Sequence, residues 1–171
     1  TCEHTFALIL SLARKVPFGH ASLKKGEWNR SKFKGIEIYS KTLGIIGFGR
    51  IGKEVAKRAG AFGMEVLVYD PFITREVVEN SGVKSVELKE LLTKSDIVTM
   101  HTPLTAETRG LISSNEISLM KKDSFIINCA RGGIVDEDAL YEALDSGKIA
   151  GAALDVFTKE PPDNINLIKM D

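Results

Sequence analysis

From residue 42 onward, short apolar segments alternate with longer amphipathic segments, and turn-forming residues separate them. The apolar segments, rich in Ile, Val, Leu or small residues, are residues 42–47, 65–70, 96–101, 124–129 and 150–156. Strands that are apolar on both faces are typical of parallel sheets covered by helices. Between them, apolar residues such as Ile51, Val55 and Ala59 recur at helical spacing. This alternation predicts an α/β fold built on a doubly wound parallel sheet.

The first forty residues follow a different pattern. An amphipathic helix is predicted at about residues 3–15, before Pro17 and a basic segment. We expect this helix to be added to the sheet, either packed on it or joining it to another domain. Further along the chain, weaker signals predict a strand at residues 83–86, a helix at residues 87–93 and an N-cap at Asp136.

Composition argues against several classes of protein. The chain has 171 residues, of which 43% are hydrophobic and 27% charged, and its 23 basic side chains match its 23 acidic ones. This balance disfavours disorder and a nucleic-acid-binding surface, and no apolar segment is long enough to predict a membrane span. Cys2 and Cys129 are far apart in sequence and form no metal-binding motif. We therefore expect free thiols, no metal site, no nucleic-acid or membrane partner, and a reducing compartment such as the cytoplasm.

Residues 43–52, LGIIGFGRIG, carry the pattern G-x-G-x-x-G between a predicted strand and a predicted helix. In this context Gly47 permits a tight turn, Gly49 lets the backbone approach a pyrophosphate, and Gly52 lets the helix pack closely on the strand. The first N–H groups of the helix and its dipole favour an anion, and Arg50 adds a guanidinium. The motif therefore predicts a diphosphate-binding turn.

The next predicted strand ends at Asp70, near the spacing at which an acidic residue binds the ribose hydroxyls of a dinucleotide. A carboxylate at this point repels a 2′-phosphate, which favours NAD over NADP. Two alternatives stay open: Asp70 caps the turn made with Pro71, and Arg75 is compatible with NADP.

Polar residues follow the later predicted strands, at the edge where open α/β sheets bind ligands. They are residues 101–105, residues 129–133 and Asp155. The planar guanidinium of Arg131 matches a carboxylate in bidentate fashion, although many loop arginines are simply solvated. His101 is a candidate acid or base, but we favour a strand-end histidine that lies near the cofactor or packs on a neighbour.

Glu160 precedes Pro161 and Pro162, and a residue before proline favours extended backbone. Its carboxylate is therefore oriented, and a carboxylate that orients a histidine raises the pKa of that imidazole. The alternative is an acid in an exposed linker. His4 and His20 are interpreted as surface or packing residues.

Five segments together resemble the nucleotide-binding domain of the D-isomer-specific 2-hydroxyacid dehydrogenases: GIEIYSKTLGIIGFGRIG, AFGMEVLVYDP, HTPLTAETRGLI, INCARGGIVDEDALYEAL and AGAALDVFTKEPP. The resemblance covers essentially the whole chain, including CEHTFALILSLARK near its start. It implies a Rossmann-type NAD-binding domain over residues 1–171, a small 2-hydroxy or 2-oxo acid as substrate, and a homodimer or higher homo-oligomer.

The resemblance also implies roles for individual residues. It implies that Arg131 binds the substrate carboxylate and polarises the carbonyl, and that Glu160 pairs with the catalytic histidine. At the glycine turn it implies NAD contacts from Arg50 and Ile51, with Asp70 on the adenosine ribose. The remaining cofactor contacts that it implies are those of Thr102, Pro103, Cys129, Ala130 and, near the nicotinamide, Asp155.

The family's catalytic histidine lies in a Pro-His pair after the double proline, and the 171 residues contain no such pair. The family's substrate domain is likewise not matched. We therefore expect this sequence to be the cofactor-binding part of a longer enzyme that moves a hydride between NAD and a D-2-hydroxy acid. The resemblance favours 3-phosphoglycerate as substrate. Glyoxylate or hydroxypyruvate reduction is one alternative, and an NAD-sensing, corepressor-like binding protein is another.

Overall fold

A computed structural model describes residues 1–170 of the chain. Its strands are β1 (Thr42–Ile46), β2 (Glu65–Tyr69), β3 (Lys84–Ser85), β4 (Ile97–Met100), β5 (Phe125–Asn128) and β6 (Gly151–Leu154). These strands pair in parallel, in the order β3-β2-β1-β4-β5-β6. The chain thus winds outward from β1 in both directions, which confirms the predicted doubly wound parallel sheet.

Helices cover both faces of this sheet. Those in the described part of the chain are α1 (Cys2–Arg14), α2 (Val16–Lys24), α3 (Arg50–Ala61), α4 (Arg75–Glu79), α5 (Leu88–Lys94), α6 (Ser114–Leu119), α7 (Glu137–Asp145) and α8 (Ile165–Ile168). Helices α1 and α3 pack on one face, and α5, α6 and α7 pack on the other. Within residues 1–170, none of these helices has the length and apolarity that crossing a membrane requires.

Strand β1 shows why its sequence is apolar at consecutive positions. Leu43 and Ile45 are fully buried in the core beneath α1 and α3, whereas Ile46 is buried in the core on the opposite face. A Cβ at Gly44 would lie 2.5 Å from Leu91 Cδ2, so α5 packs directly on the strand backbone there. Because both faces are covered, an alternating apolar and polar pattern is absent from this strand.

The predicted N-terminal helix is present as α1, and it packs on the sheet. Phe6 and Ile9 are buried in the same core as β1. The Phe6 ring also stacks on Phe62, just beyond α3, with the ring centroids 5.2 Å apart. Helix α1 also packs beside β5 and β6, and His4 near its start lies next to Asp155, the residue that follows β6.

Helix α2 is a feature that the sequence pattern did not predict. Helix α1 ends before Lys15, which has a φ of 54° and so turns the chain through the left-handed region. Pro17 then lies in the first turn of α2, where its missing N–H has no intrahelical partner to lose. Pro17 therefore begins a second helix instead of opening a loop.

Weaker signals along the chain also correspond to structure. The predicted strand at residues 83–86 is the short β3, and the predicted helix that follows it is α5. The carboxylate of Asp136 accepts hydrogen bonds from the N–H groups of Asp138 and Ala139, which confirms it as the N-cap of α7.

Candidate functional site

Glycines with different surroundings build the turn between β1 and α3. Gly47 has a φ of 95°, and a Cβ there would lie 2.7 Å from the carbonyl oxygen of His101. A Cβ at Gly52 would lie 2.1 Å from the carbonyl oxygen of Gly47, so α3 starts in direct contact with the turn. Above Gly49, no atom of the described residues lies within 4 Å of the Cβ position. Gly47 and Gly52 therefore make the turn compact, and Gly49 leaves space above it.

The first turn of α3 presents backbone donors to this space. Gly49 is the N-cap of α3, and no side chain among residues 1–170 caps the helix. The N–H groups of Arg50 and Ile51 therefore remain available at the positive end of a 12-residue helix. The side chains of both residues are exposed. Such a helix start binds phosphate groups.

Asp70 lies directly beside the glycine turn. Its Oδ2 accepts a hydrogen bond from the N–H of Phe48 at 2.7 Å, and its Oδ1 accepts one from the N–H of Phe72 at 2.9 Å. The second bond is the cap of the Pro71 turn that the sequence offered as an alternative. Because each carboxylate oxygen has two lone pairs, the capping role leaves acceptor capacity for ligand hydroxyls.

The segment after β4 contacts the glycine turn from the other side. A Cβ at Gly47 would meet the N of Thr102 at 3.0 Å. The next residue, Pro103, has its carbonyl held by the Thr108 hydroxyl at 2.7 Å, and that same hydroxyl accepts from the Thr105 N–H. Thr102 and Pro103 are thus fixed at the carboxyl edge of the sheet, next to the turn.

His101 is a packed histidine, as the sequence analysis favours. Its Nε2 lies 3.0 Å from the hydroxyl of Thr99, and its Nδ1 is buried with no partner among the described residues. Burial, with a smaller contribution from the nearby amino terminus, lowers the pKa of His101 to about 4. The imidazole is therefore neutral at physiological pH, which does not suit it to general acid catalysis there.

The loop after β5 is shaped by Asn128, a buried residue that the sequence analysis did not single out. The side-chain oxygen of Asn128 accepts from the Ala130 N–H at 3.0 Å, and its amide donates to the carbonyl of Arg131 at 2.9 Å. Cys129 and Ala130 are buried in this turn, and burial raises the pKa of the Cys129 thiol. Its burial at a strand end, which only the structure shows, is what identifies Asn128.

The Asn128 turn holds Arg131 at the sheet edge. Its Nη1 donates to the carbonyl oxygen of Ala130 at 2.7 Å, while the side chain stays exposed. The next residue, Gly132, is so close to the segment after β6 that a Cβ would lie 1.9 Å from the carbonyl oxygen of Phe157. The Arg131 loop and the segment that leads to Glu160 are therefore packed against each other.

Glu160 is exposed but not free. Its Oε1 accepts a hydrogen bond from the Phe157 N–H at 3.2 Å, and its bond to Pro161 is cis. This carboxylate thus lies on the same loop as the Phe157 carbonyl that packs on Gly132. The structure therefore brings Arg131 and Glu160 onto contacting segments.

Asp155 follows β6 and adjoins the end of β5. Its N–H donates to the carbonyl oxygen of Asn128 at 2.9 Å. Its Oδ1 lies 3.1 Å from Nε2 of His4, a residue in the first turn of α1. His4, interpreted above as a surface or packing residue, is therefore an exposed partner of a predicted site residue.

Comparisons with known proteins show the family of the chain. The family model described as D-isomer specific 2-hydroxyacid dehydrogenase, NAD binding domain, matches residues 6–171. The chain belongs to this family. A D-3-phosphoglycerate dehydrogenase of Methanocaldococcus jannaschii is 55% identical over 170 residues, which are 99% of this chain and 32% of that protein. The chain thus spans about a third of the length of the curated relatives it matches.

Solved structures of dehydrogenases and reductases share the fold. A glyoxylate reductase from Paecilomyes thermophila has a TM-score of 0.91 at 37% identity, covering 99% of this chain and 51% of that one. A D-lactate dehydrogenase from Aquifex aeolicus, complexed with NAD and lactic acid, has a TM-score of 0.87 at 44% identity. The match covers 93% of this chain and 48% of that one. The Rossmann-type fold predicted from the sequence is confirmed.

NAD is the cofactor of this family domain, and the geometry of the turn fits it. The space above Gly49 would be filled by a side chain, and the uncapped start of α3 faces it. The strand order reverses between β1 and β4, which is where dinucleotides cross such sheets.

Within the described chain, no three His, Cys, Asp or Glu side chains are grouped so that they could hold a metal ion.

Replacing Gly49 with alanine is expected to weaken NAD binding by about tenfold or more while the domain stays folded. The backbone of Gly49, with φ −71° and ψ −160°, suits alanine, so the loss of stability is at most about 1 kcal/mol, the usual cost of alanine at an N-cap. The new methyl group instead occupies the space that the pyrophosphate needs. Calorimetric titration with NAD measures the first effect, and urea unfolding measures the second. Unchanged affinity would mean that the pyrophosphate does not approach Gly49.

Proposed function

We propose that residues 1–171 form the NAD-binding domain of an enzyme that moves a hydride between NAD and C2 of a D-2-hydroxy acid. The preferred reaction is oxidation of 3-phosphoglycerate to 3-phosphohydroxypyruvate, which begins the phosphorylated route to serine. The observation that carries this choice is the 55% identity, over nearly the whole chain, with a protein named D-3-phosphoglycerate dehydrogenase. The glyoxylate reductase with the same fold is 37% identical, and it supports glyoxylate or hydroxypyruvate reduction as the second candidate.

The proposed cofactor site follows the carboxyl edge of the sheet. The pyrophosphate lies on Gly47, Gly49 and Gly52, with Arg50 and Ile51 at the start of α3. Asp70 binds the adenosine ribose, because it adjoins the turn from the β2 side. The other nucleotide lies over the ends of β4, β5 and β6, where its proposed contacts are Thr102, Pro103, Cys129, Ala130, Arg131 and Asp155.

The proposed chemistry divides between this domain and residues outside it. NAD, when bound, accepts the hydride. Arg131 binds the substrate carboxylate and stabilises negative charge on the C2 oxygen, since its guanidinium keeps free donors beyond its bond to Ala130. Glu160 orients and stabilises the imidazolium of a histidine that removes the hydroxyl proton. The family's Pro-His motif that carries this histidine is absent from the 171 residues.

We also propose that the enzyme is a cytoplasmic homodimer or a higher homo-oligomer. The apolar face of α1 gives little support for an oligomer, because Phe6 and Ile9 are buried in the core of their own chain. The support comes from the neighbouring residues. Large apolar side chains are exposed on α2 and on the segment after it, at Val16, Phe18, Leu23, Trp28, Ile36 and Tyr39.

The proposal predicts that the 171-residue chain binds NAD more tightly than NADP but does not oxidise 3-phosphoglycerate. Binding needs the glycine turn and Asp70, which are present, whereas turnover needs the histidine and the substrate domain. Calorimetry with both cofactors and NADH absorbance with 3-phosphoglycerate measure the two properties. Tighter NADP binding would contradict the role of Asp70, and turnover by this chain would contradict the division of the active site.

The substrate itself is tested on the complete protein that contains this domain. We expect kcat/KM for 3-phosphoglycerate to exceed that for D-glycerate and glycolate, which lack the phosphate. A preference for glycolate or D-glycerate would assign the second candidate function instead.

A further inference from the structure

The structure joins the first helix to the candidate cofactor site through one polar contact. His4 Nε2 and Asp155 Oδ1 are 3.1 Å apart, and the two side chains are 47% and 51% exposed. The contact joins α1 to the end of β6, across elements far apart in sequence. It lies at the carboxyl edge of the sheet, because the Asp155 N–H continues the hydrogen bonding between β5 and β6.

The strand order indicates which half of a dinucleotide faces this pair. Asp70 lies at the end of β2, on one side of the glycine turn, and β4, β5 and β6 lie on the other side. A dinucleotide crosses such a sheet at the reversal of strand order. If its adenosine is on Asp70, its nicotinamide lies on the side of Asp155 and His4. This step rests on the proposed function.

The nicotinamide ring is positively charged in NAD⁺ and neutral in NADH. A lone Asp155 carboxylate therefore favours the oxidised ring. A protonated His4 beside the carboxylate opposes that preference, because the pair then has no net charge. We propose that His4 is a positioning residue that holds Asp155 and, through its protonation, sets the relative affinity of the site for NAD⁺ and NADH.

Other ionisable groups lie on the elements around this pair. The amino terminus and Glu3 lie on α1 itself, and Cys129 lies at the end of β5 with a thiol that burial keeps protonated. From α3, Glu54 and Arg58 interact with each other. From β4, His101 stays neutral above pH 5 because burial lowers its pKa to about 4. Among the three histidines of the chain, His4 is thus the one whose ring lies beside Asp155.

The test measures the dissociation constants of NAD⁺ and NADH for this chain between pH 6.0 and 8.5. We expect the ratio Kd(NADH)/Kd(NAD⁺) to rise about threefold as His4 loses its proton, a size set by a half-exposed charge pair in high dielectric. In the variant His4→Gln the ratio should stay constant at the high-pH value. His20→Gln is the matched control, since His20 is exposed on α2, and it should behave as the wild type.

A second measurement needs no variant. By linkage, the His4 ring should titrate at higher pH in the NADH complex than in the NAD⁺ complex, by the logarithm of the same ratio. NMR of the His4 ring reports this directly. Equal titration in both complexes, a constant ratio in the wild type, or the same rise in His4→Gln would each overturn the role of His4. Failure to bind either form of the cofactor would instead overturn the proposed function, and this inference with it.

Discussion

Replacing Gly52 with alanine is expected to destabilise the domain by about 1–3 kcal/mol and to weaken NAD binding by about 10- to 100-fold. The added Cβ would lie 2.1 Å from the Gly47 carbonyl oxygen and 3.1 Å from its carbonyl carbon. Both are backbone atoms, so no side chain can rotate to make room. Helix α3 must move away from the turn, and its first N–H groups move with it. Urea unfolding and calorimetric titration with NAD measure the two losses.

Gly60 provides the matched control on the same helix. None of the described residues places an atom within 4 Å of a Cβ at Gly60, so alanine meets no obstacle there. Because alanine is a better helix former than glycine, Gly60→Ala should stabilise the domain by about 0.5 kcal/mol and leave NAD affinity unchanged. Equal effects at Gly52 and Gly60 would show that helix propensity, not the contact between α3 and the turn, decides the outcome.

The sheet is the part of this fold that sequence predicts best. Strands β1, β2, β4 and β5 carry buried residues on both faces, so their apolar segments stand out in the sequence. The spacing between these segments also leaves room for the helix that connects two parallel strands. Helix α2 shows the limit of such patterns. Pro17 is compatible with both a loop and the first turn of a helix, and the left-handed Lys15 that decides between them has no sequence signal of its own.

The candidate site likewise contains residues that the sequence predicts and residues that it does not. The roles of Gly47 and Gly52 depend on local geometry, so the G-x-G-x-x-G pattern predicts them, and the structure places them accordingly. Asn128 acts through bonds to residues two and three positions along the chain, whereas His4 acts through a contact between segments distant in sequence. The first orders the backbone around Arg131, and the second meets Asp155 only because α1 packs beside β6. No local motif records either contact, and without the fold each is one polar residue among many.

The contact between Gly132 and Phe157 holds two loops of the candidate site together. Arg131 and Glu160 belong to different loops, and a side chain larger than hydrogen at Gly132 would separate them. The backbone of Phe157 takes part twice, since its carbonyl packs on Gly132 and its N–H holds the Glu160 carboxylate. The distance between the proposed substrate-binding and histidine-orienting groups is thus set by backbone contacts, which keep their geometry better than flexible side chains.

Replacing Arg131 with alanine in the complete protein is expected to lower kcat/KM for the hydroxy acid by about 10³-fold, or about 4 kcal/mol. Truncating one member of a charged, bidentate pair costs this much because the substrate carboxylate and the developing oxyanion both lose their donor. Lysine at this position should recover part of the rate, since it restores the charge but not the planar pair of donors. In the isolated domain, NAD affinity should fall less than tenfold, and stability should change by less than about 0.5 kcal/mol, as for other exposed side chains.

Arg109 is the matched control for this prediction. It is an exposed arginine on a neighbouring loop, with its guanidinium 3.5 Å from the Cβ position of Gly133. Arg109→Ala removes the same charge from the same edge of the sheet but leaves the Arg131 guanidinium in place. If loss of general positive charge explained the effect, both variants would raise KM alike and the effect would vanish at high salt. A specific role for Arg131 requires a fall in kcat that persists at high salt and is absent from Arg109→Ala.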